Sequence, residues 1–285
     1  MLAQDKDIGV NNGSGIAAKE LESFQQFIDS EFKLKLNWYN SESAQRRLQK
    51  IIKNLNFKSL KDLELKLRSG EMAFQRFISE FTVNVTEVFR EPASLNELKV
   101  SVLPFFRNAK EFKILLVGSS TGEELATLCI LLKENGLLDR SKILATDLNS
   151  KVLEQAKQPR LKKSDLITGN ENYLKAGGFR ELSHYFIGAG SHVYLEADLL
   201  SRVEFKEFDI CHSNLKEDFD LILCKNVLIY FQYSQQHNLI NNLGRHLKRK
   251  GFLALGEKES IMRLQKLSNS FAAVSSEHNI YRKTH

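Results

Sequence analysis

Paired carboxylates follow a glycine-containing loop near the middle of the chain. Residues 113–125 read KILLVGSSTGEEL, an apolar run that breaks at Gly118 and resumes a helical pattern at Glu123 and Glu124. A strand, a small-residue loop and a helix in this order are typical of nucleotide-binding units. The loop lacks both the GxGxxG spacing and the lysine of phosphate-binding loops, and two carboxylates repel a pyrophosphate. These residues therefore indicate a ligand without phosphate.

A positively charged ligand reverses the electrostatic argument. S-adenosylmethionine has no phosphate and carries an ammonium and a sulfonium group, so a carboxylate at this position would pair with it. Gly118 and Gly122 would let the backbone approach such a ligand closely. The alternative is that Glu123 and Glu124 only favour the positive N-terminus of the following helix, by about 0.3–1 kcal/mol each.

Two further loops carry polar residues where strands are predicted to end. Asp147 ends the run KILATD and could accept hydrogen bonds from both hydroxyls of an adenosine ribose. Alternatively, Asp147 is the N-cap of the helix that begins near Asn149. The run FDLIL is followed by CKNVLIYF, which places Asn226 and Tyr230 at the top of a strand. Three such loops in order favour a methyltransferase, and the absence of a Pro-Pro-aromatic motif argues against one that acts on DNA amino groups.

The elements that must hold these loops divide the chain into two regions. From about residue 16 to 89, apolar residues recur at helical spacing, as in LESFQQFI, AQRRLQKIIKNL and AFQRFISEF. From Phe112 onward, apolar runs alternate with helical patterns, which predicts a parallel sheet covered on both faces. Helices are predicted at EELATLCILLKENG, SKVLEQA and SQQHNLINNLGRHLKRK, and another strand at GFLALG. We therefore predict a flexible segment at 1–15, a helical domain at 16–91 and a Rossmann-like α/β domain at 92–285.

The net charge of +6 is concentrated in one stretch of the helical region. Residues 44–68 contain eight basic and two acidic residues, an excess equal to that of the whole chain. Apolar positions here recur at helical spacing, and Arg46, Lys50 and Lys53 fall on the opposite face. Such a face is either a solvated surface or a docking site for an acidic protein or nucleic acid.

The composition argues against several other classes of protein. The chain has 285 residues, of which 42% are hydrophobic and 27% charged, as in a soluble globular protein. It shows no signal-peptide pattern and no run of about 18 apolar residues, so a cytoplasmic location without membrane insertion is expected. The three cysteines are widely spaced and the seven histidines lack metal-ligand spacing. Neither a disulfide framework nor a metal site is predicted.

One segment gives a specific family resemblance. The residues FTVNVTEVFRE at 81–91 resemble the TxNxTxFFRE signature of the chemotaxis receptor methyltransferases, the CheR family. The segments GSSTGEE, ATDLNSKVLEQA, SNL (213–215) and CKNVLIYF resemble further motifs of this family in the same order. The resemblance runs from about residue 20 to the C-terminus. It implies a class I methyltransferase domain after a small all-α domain, with S-adenosylmethionine as methyl donor and an antiparallel β-subdomain inserted near 183–206.

The resemblance also implies roles for residues in the first half of the chain. Asn84, Thr86 and Arg90 match signature positions that line the cofactor and the active site. Arg90 would face the methionine part of the cofactor and the reaction centre. In the loop that contains Gly118, Glu124 matches a residue that contacts the cofactor.

Further roles are implied along the rest of the α/β domain. Asp147 matches the ribose ligand, and Asn214 and Leu215 match the residues around the adenine. Lys225 and Asn226 match the pair beside the methionyl group.

Two residues are implied to act in catalysis. Tyr230 matches the tyrosine near the transferred methyl group, and Arg90 lies in the signature. Together they would hold the acceptor carboxylate or the cofactor in line. The alternatives are that Arg90 forms a structural pair with a carboxylate and that Tyr230 packs in the core.

The chain departs from the family pattern at three places. Leu125 replaces the proline that usually follows the two glutamates, and Lys225 replaces the usual arginine. Lysine keeps the charge but loses the planar donor fork. The glycine-bearing turn of the β-subdomain, within HYFIGAGSHVYLEADLLSRVEF, is several residues shorter than usual. In the family this turn supports docking to a receptor's C-terminal pentapeptide, so such docking is in doubt here.

The implied substrate is a glutamate side chain on the cytoplasmic helical hairpin of a methyl-accepting chemoreceptor. With a reference pKa of about 4.3, this carboxylate is ionised near neutral pH and needs no general base. The hairpin would dock on the basic helix that carries Arg46, Arg47, Lys50 and Lys53, and the family implies a monomer.

Two other functions remain open at the level of the sequence. One is a non-catalytic sensor of S-adenosylmethionine or S-adenosylhomocysteine, which the presence of Arg90 and Tyr230 disfavours. The other is an RNA methyltransferase, suggested by the sequence pI of about 9.0. The α/β domain has no basic stripe, so no nucleic-acid partner is expected.

Overall fold

The computed structural model describes residues 16–188, 190–212, 215–261 and 270–285. The segment 1–15, for which flexibility is expected, and Asn214 lie outside these residues. Within the described ranges, no helix is both long enough and apolar enough to cross a membrane.

The N-terminal domain is helical, as predicted. Its amphipathic helices bury their apolar faces against one another, and the rings of Phe24 and Phe77 meet edge to face with centroids 6.0 Å apart. The side chain of Asn40 caps the second helix by accepting a hydrogen bond from Ser43 N at 3.0 Å. The described α-helices of this domain are α1 (Ala18–Phe32), α2 (Ser41–Asn54), α3 (Leu60–Arg68) and α4 (Phe74–Phe81).

The α/β domain begins where Pro92 starts a new helix. Its described helices are α5 (Pro92–Ser101), α6 (Glu123–Glu134), α7 (Ser150–Ala156), α8 (Lys163–Lys175) and α9 (Tyr233–Arg245). Its described strands are β1 (Phe112–Val117), β2 (Ser141–Asp147), β3 (Arg160–Lys162), β4 (Phe186–Ile187), β5 (His192–Leu195), β6 (Val203–Glu207), β7 (Phe219–Cys224), β8 (Leu247–Leu255), β9 (Phe271–Ser275) and β10 (Ile280–Lys283).

The main sheet has the strand order β6-β2-β1-β7-β8-β10-β9. The strands from β6 to β8 in this order pair in parallel, whereas β10 and β9 are antiparallel additions at the C-terminal edge. Strand order reverses between β1 and β7, because β2 lies on one side of β1 and β7 on the other. Open α/β sheets bind their ligands at this switch point. The Rossmann-like prediction is confirmed, except that the parallel pairing does not extend to the last two strands.

The small antiparallel sheet differs from the expected segment 183–206. It has the order β3-β5-β4, so its first strand comes from Arg160–Lys162, outside that segment. The strand Val203–Glu207, which falls inside that segment, instead pairs in parallel with β2 at the edge of the main sheet. An edge strand is partly exposed, so its sequence lacks the continuous apolar run that marked the central strands.

The helix predicted through residue 250 ends five residues earlier. α9 stops at Arg245, and the residues LKRK belong to β8, whose first residue Leu247 pairs with Phe219 of β7. Lys283 of β10 donates hydrogen bonds to the carbonyl oxygens of Gly244 and Leu247 at 2.8 and 2.7 Å. These contacts cap the end of the helix from a distant strand, which no local spacing rule could anticipate.

The central strands point their side chains alternately into two cores. Leu115 and Val117 of β1 face the core shared with the N-terminal helices, whereas Ile114 and Leu116 face the core with α5, α6 and α8. The helical domain therefore covers one face of the sheet. Backbone hydrogen bonds also join the two domains beside the third loop, from Asn40 N to the carbonyl oxygen of Tyr230 at 2.9 Å.

Candidate active site

A cavity of about 1040 Å³, part of it open to solvent, lies at the carboxyl ends of β1, β2, β6 and β7. The segment 82–87 and two side chains of the helical domain complete its wall. Its lining contains these sequence-predicted site residues: Asn84, Thr86, Arg90, Gly118, Glu124, Asp147, Lys225, Asn226 and Tyr230. Residues from distant parts of the sequence therefore meet in one cavity.

The loop after β1 requires both of its glycines. Gly118 has a φ angle of 76°, and a Cβ atom there would lie 2.6 Å from Cγ2 of Val227. At Gly122, φ is 103° and a Cβ atom would lie 2.9 Å from Cγ of Pro159. The loop thus runs close to its neighbours at both glycines, and of the two only Gly118 lines the cavity.

The side chains of the two adjacent glutamates lie in different surroundings in the folded protein. Glu124 lines the cavity, and its buried Oε1 has no hydrogen-bond partner among the described residues. Burial raises the pKa of Glu124 to about 7, and the nearby Lys225 opposes this shift. Glu123 lies outside this cavity and accepts a hydrogen bond from Thr121 Oγ1 at 2.6 Å. An unpartnered buried carboxylate in the cavity wall fits a cationic ligand group.

Asp147 is not the N-cap of α7. That position belongs to Asn149, whose side-chain oxygen accepts a hydrogen bond from Lys151 N at 3.1 Å. The carboxylate of Asp147 instead joins two loops by accepting from Ser120 N and Asn149 N, each at 2.9 Å. Burial raises the pKa of Asp147, and these N–H donors oppose the rise. Its remaining acceptor capacity faces the cavity.

A buried ion pair fixes the third loop of the site, which follows β7. The Lys225 ammonium lies 3.2 Å from Oε2 of Glu91, and both side chains are at most 10% exposed. Asn226 donates from Nδ2 to the other Glu91 oxygen at 2.9 Å. Burial raises the pKa of Glu91, but Lys225 and Asn226 outweigh it and hold the pKa below its usual value. The glutamate that ends the family signature thus orients the residues expected beside the methionyl group.

Backbone strain concentrates around this cavity. Four non-glycine residues in or beside its lining segments have positive φ angles: Phe89 (53°), Glu91 (57°), Ser120 (49°) and Asn226 (58°). Such conformations persist only where neighbouring contacts over-determine them. One such contact is the hydrogen bond from Phe89 N to Thr127 Oγ1, at 2.8 Å. The strain marks a preorganised site.

Arg90 and Tyr230 both line the cavity. In the described part of the chain, Arg90 makes neither an ion pair nor a hydrogen bond, so the alternative of a structural carboxylate pair is absent there. Tyr230 is half-buried, and burial raises its pKa. The Arg47 guanidinium lies 4.7 Å from the centroid of the Tyr230 ring. A free cation and a protonated phenol can together hold an anionic acceptor.

The helical domain contributes two cavity residues that sequence reasoning missed. Tyr39 is buried in the wall, and Arg47 points inward rather than joining the exposed Arg46, Lys50 and Lys53. Arg47 donates to the carbonyl oxygen of Phe81 at 3.4 Å, and burial lowers the pKa of Arg47. Arg47 lies four residues before Ile51 and therefore borders the apolar stripe of α2. From this position the sequence could have indicated that Arg47 is partly buried.

The residues after β6 form part of the cavity wall. Phe208, Asp209 and Ile210 line the cavity, next to the end of β2. Leu215 is buried in the core and does not line the cavity, and Asn214 lies outside the described residues. These lining residues went unrecognised because β6 was assigned to the β-subdomain.

Among the described residues, no cluster of histidine, cysteine, aspartate or glutamate side chains could hold a metal ion. The polar groups of the cavity are instead carboxylates, amides, hydroxyls and basic groups. This donor set suits an organic ligand that carries both positive and negative groups.

Comparison with known protein families agrees with this geometry. The family model for the CheR methyltransferase SAM binding domain matches residues 84–279. The chain belongs to the CheR methyltransferase family. The model for the CheR methyltransferase all-alpha domain matches residues 19–82, which correspond to the helical domain. The α/β domain is thus an S-adenosylmethionine-binding domain, and the predicted cofactor is confirmed.

Relatives of this CheR family member match most of its length. The protein Cher3 of Pseudomonas putida is 30% identical over 246 residues, which cover 86% of this chain and 90% of Cher3. A chemotaxis protein methyltransferase of Borreliella burgdorferi is 27% identical over 265 residues, covering 88% of this chain and 91% of the relative. One from Salmonella typhimurium is 30% identical over 210 residues, covering 71% and 68%.

Proposed function

We propose that this CheR family protein methylates glutamate side chains on the cytoplasmic helical region of chemoreceptors, with S-adenosylmethionine as donor and a methyl ester as product. The observation that carries this proposal is that the guanidinium of Arg90 and the Oε1 atom of Glu124, neither with a partner among the described residues, lie in the same cavity. One group suits an anionic acceptor, and the other suits the cationic donor. Relatives named as chemotaxis protein methyltransferases support the receptor as substrate.

The cavity residues suggest how the donor would be held. Glu124 would pair with its ammonium group, and Asp147 would accept hydrogen bonds from the ribose hydroxyls. Asp209 and Ile210 are better placed than Leu215 to surround the adenine, because they line the cavity beyond Asp147. In this proposal Asp209 and Ile210 take the adenine contact expected of Leu215, and Asn214 lies outside the described residues.

The other lining residues would hold the remaining parts of the donor. Lys225 and Asn226 would lie beside the methionyl group, and Asn84 and Thr86 belong to the segment that covers the cavity. When bound, S-adenosylmethionine supplies an electrophilic methyl group on its sulfonium.

The chain's own contribution to the reaction would be orientation and exclusion of water. The acceptor carboxylate is already ionised near neutral pH, so the site needs no general base. Arg90 stays protonated and cannot act as one. Burial raises the pKa of Tyr230, which keeps its hydroxyl protonated as a donor. Arg90 and Tyr230 would hold the carboxylate oxygens in place while the covering segment limits solvent access.

The direct test is transfer of a labelled methyl group to a recombinant chemoreceptor cytoplasmic fragment. We expect label that alkali releases as methanol, the behaviour of a glutamate methyl ester. Alkali-stable label on RNA would identify an RNA methyltransferase instead. S-adenosylhomocysteine binding without any methyl transfer would identify a sensor.

Substitution of Asp147 tests the proposed ribose contact. Asp147→Ala should raise the dissociation constant for S-adenosylhomocysteine about 10-fold or more, because two hydroxyls lose a charged acceptor. Isothermal titration calorimetry measures this change. The control is Asp139→Ala, an exposed position near the opposite end of β2. Unchanged affinity would mean that Asp147 serves only to join its two loops.

Charge reversal on α2 tests receptor docking. Changing Arg46, Lys50 and Lys53 to glutamate should lower the rate on receptor and leave S-adenosylhomocysteine affinity unchanged, because these exposed residues lie outside the cavity. Screening acts over about 8 Å at physiological ionic strength, so the wild-type rate should fall with added salt while the variant's rate stays nearly flat.

A matched control keeps the total charge change equal. Lys110, Arg245 and Arg249 are exposed near the amino ends of the strands, opposite the cavity. Their reversal to glutamate should preserve the wild-type rate and salt dependence. Equal losses in both triple variants would show that net charge, and not a docking face on α2, governs the rate.

A further inference from the structure

The side chain of Glu259 lies behind the third loop of the active site. It is 1% exposed, does not line the cavity, and accepts three backbone hydrogen bonds. Its Oε2 accepts from Asn226 N and from Gly256 N, each at 2.8 Å, and its Oε1 accepts from Ile229 N at 3.1 Å. Two of these three donors belong to the segment that carries Tyr230.

The segment contains a left-handed backbone conformation. Asn226 has a φ angle of 58°, which few non-glycine residues other than asparagine and aspartate adopt. In that conformation its N–H donates to Glu259 at 2.8 Å, while its side chain donates to Glu91 at 2.9 Å. Two carboxylates therefore fix one residue of the cavity wall, one through its backbone and one through its side chain.

The position of Glu259 is itself fixed by the C-terminal hairpin. A Cβ atom on Gly256 would lie 2.8 Å from Glu259 Oε2, so only glycine fits at the start of this turn. Asn279 donates from Nδ2 to the carbonyl oxygens of Gly256 and Glu257 at 2.9 and 3.1 Å. The hydroxyl of Tyr281 donates to Asn279 Oδ1 at 3.0 Å. The antiparallel edge of the sheet thus anchors the turn that presents Glu259.

We propose that Glu259 is a positioning residue, which sets the backbone of 226–230 so that Asn226 and Tyr230 contact the methyl donor and the methyl acceptor in line. Its effect on turnover rests on the proposed function. Both carboxylate oxygens of Glu259 accept hydrogen bonds from backbone N–H groups. In a glutamine at this position, the side-chain NH₂ donor would face one of these N–H donors. Its closeness in space to the third loop has no counterpart in the sequence, where 30 residues separate it from Ile229.

The test compares Glu259→Gln and Glu259→Ala with Glu257→Gln, an exposed glutamate of the same turn. Calorimetric titration with S-adenosylhomocysteine gives the affinity and the number of competent sites, and methyl transfer to receptor fragment is then expressed per competent site. Circular dichroism checks that each variant is folded.

For Glu259→Gln, the amide oxygen can keep the bonds to Asn226 and Gly256, but the amide nitrogen then faces the N–H of Ile229. We expect turnover per competent site to fall about tenfold, with the dissociation constant within about twofold of wild type, because Tyr230 is displaced and Asn226 is not. Glu259→Ala should also weaken ligand affinity about tenfold, since Asn226 loses its restraint. Glu257→Gln should match the wild type in both measurements.

A role in folding alone would lower the number of competent sites and leave turnover per site within about twofold of wild type, which would overturn the proposal. If Glu259→Ala does not fold, Glu259→Gln decides by the same criterion. If the wild-type protein methylates no receptor fragment, the proposed function fails while this inference is judged by affinity. Weaker binding in Glu259→Ala than in Glu257→Gln would support it, and equal binding would overturn it.

Discussion

Replacing Arg90 with alanine should lower turnover on receptor about 100-fold, a loss that misplacement of the acceptor by about 1 Å can cause. Arg90 lines the cavity and has no ion pair or hydrogen bond in the described part of the chain, and its charge has only a minor influence on the pKa of the buried Glu124. The loss should therefore appear in the turnover number more than in stability. Single-turnover methyl transfer at saturating donor measures it.

Two further variants test the cause of the turnover loss expected in Arg90→Ala. Arg90→Lys keeps the charge without the planar fork, so we expect an intermediate loss of about tenfold. Arg76→Ala removes an exposed arginine from α4 and should change nothing. A loss that appears only as weaker S-adenosylhomocysteine binding would make Arg90 a cofactor ligand and not a group that orients the acceptor. Wild-type turnover in Arg90→Ala would remove it from the site altogether.

The affinity for S-adenosylhomocysteine should fall as the pH is lowered through about 7, where Glu124 takes up a proton. A cationic ligand group binds the ionised carboxylate, so protonation competes with binding. Between pH 8 and pH 6 the ionised fraction falls about tenfold, and the dissociation constant should rise by the same factor. Calorimetry at several pH values, in buffers of different ionisation enthalpy, gives both the constant and the proton release.

Glu124→Gln should weaken binding about 30-fold or more at pH 8, because a buried ligand cation loses its charged partner. The pH dependence should also disappear. Glu123→Gln is a matched control, since this adjacent glutamate lies outside the cavity and makes its own hydrogen bond to Thr121. If both variants keep the wild-type affinity and slope, the two glutamates only stabilise the start of α6.

The same pKa shift gives the stability of the unliganded protein the opposite pH dependence from ligand affinity. Folding raises the pKa of Glu124 from 4.5 to about 7, so the folded state binds more protons than the unfolded state between these values. Its contribution to the free energy of unfolding is therefore favourable at low pH and lost as the pH rises through 7. Glu124→Gln should accordingly increase unliganded stability at pH 8 while it weakens binding. Urea denaturation with and without S-adenosylhomocysteine separates the two effects.

Features set by local pattern were predictable from the sequence alone. The apolar periodicity of the first 89 residues predicted the helical domain, and the central strands read as continuous apolar runs because both of their faces are buried. The glycines and carboxylates at the ends of β1 and β2 indicated the cavity, since parallel strands bring their carboxyl ends to one edge. The pair Glu123 and Glu124, together with Asp147 and Asn226, was identified in this way, and the family resemblance singled out Glu124.

Only the tertiary structure decided the features that depend on pairing between distant segments. β6 pairs with β2 at an exposed edge, so its sequence carries no strong apolar signal, and the lining residues Phe208, Asp209 and Ile210 went unrecognised with it. Likewise, the helical spacing through residue 250 gave no sign that Leu247 pairs with Phe219. Strand pairing is set by packing across the whole sheet, and the sequence of an edge strand contains little information about its partner.

Side-chain direction within the site was likewise a tertiary outcome. Arg47 and Arg46 are neighbours in a basic run, and the helix period places only Arg47 beside the apolar stripe, but its contact with the Tyr230 ring in the cavity wall comes from the fold. Glu259 was not among the predicted site residues, and only the fold brings its carboxylate under Asn226. The sequence determined which chemical groups were present and which elements carried them. Buried hydrogen bonds and packing between distant elements decided which of those groups meet, because each such contact pairs residues whose separation along the chain is unrelated to their distance in space.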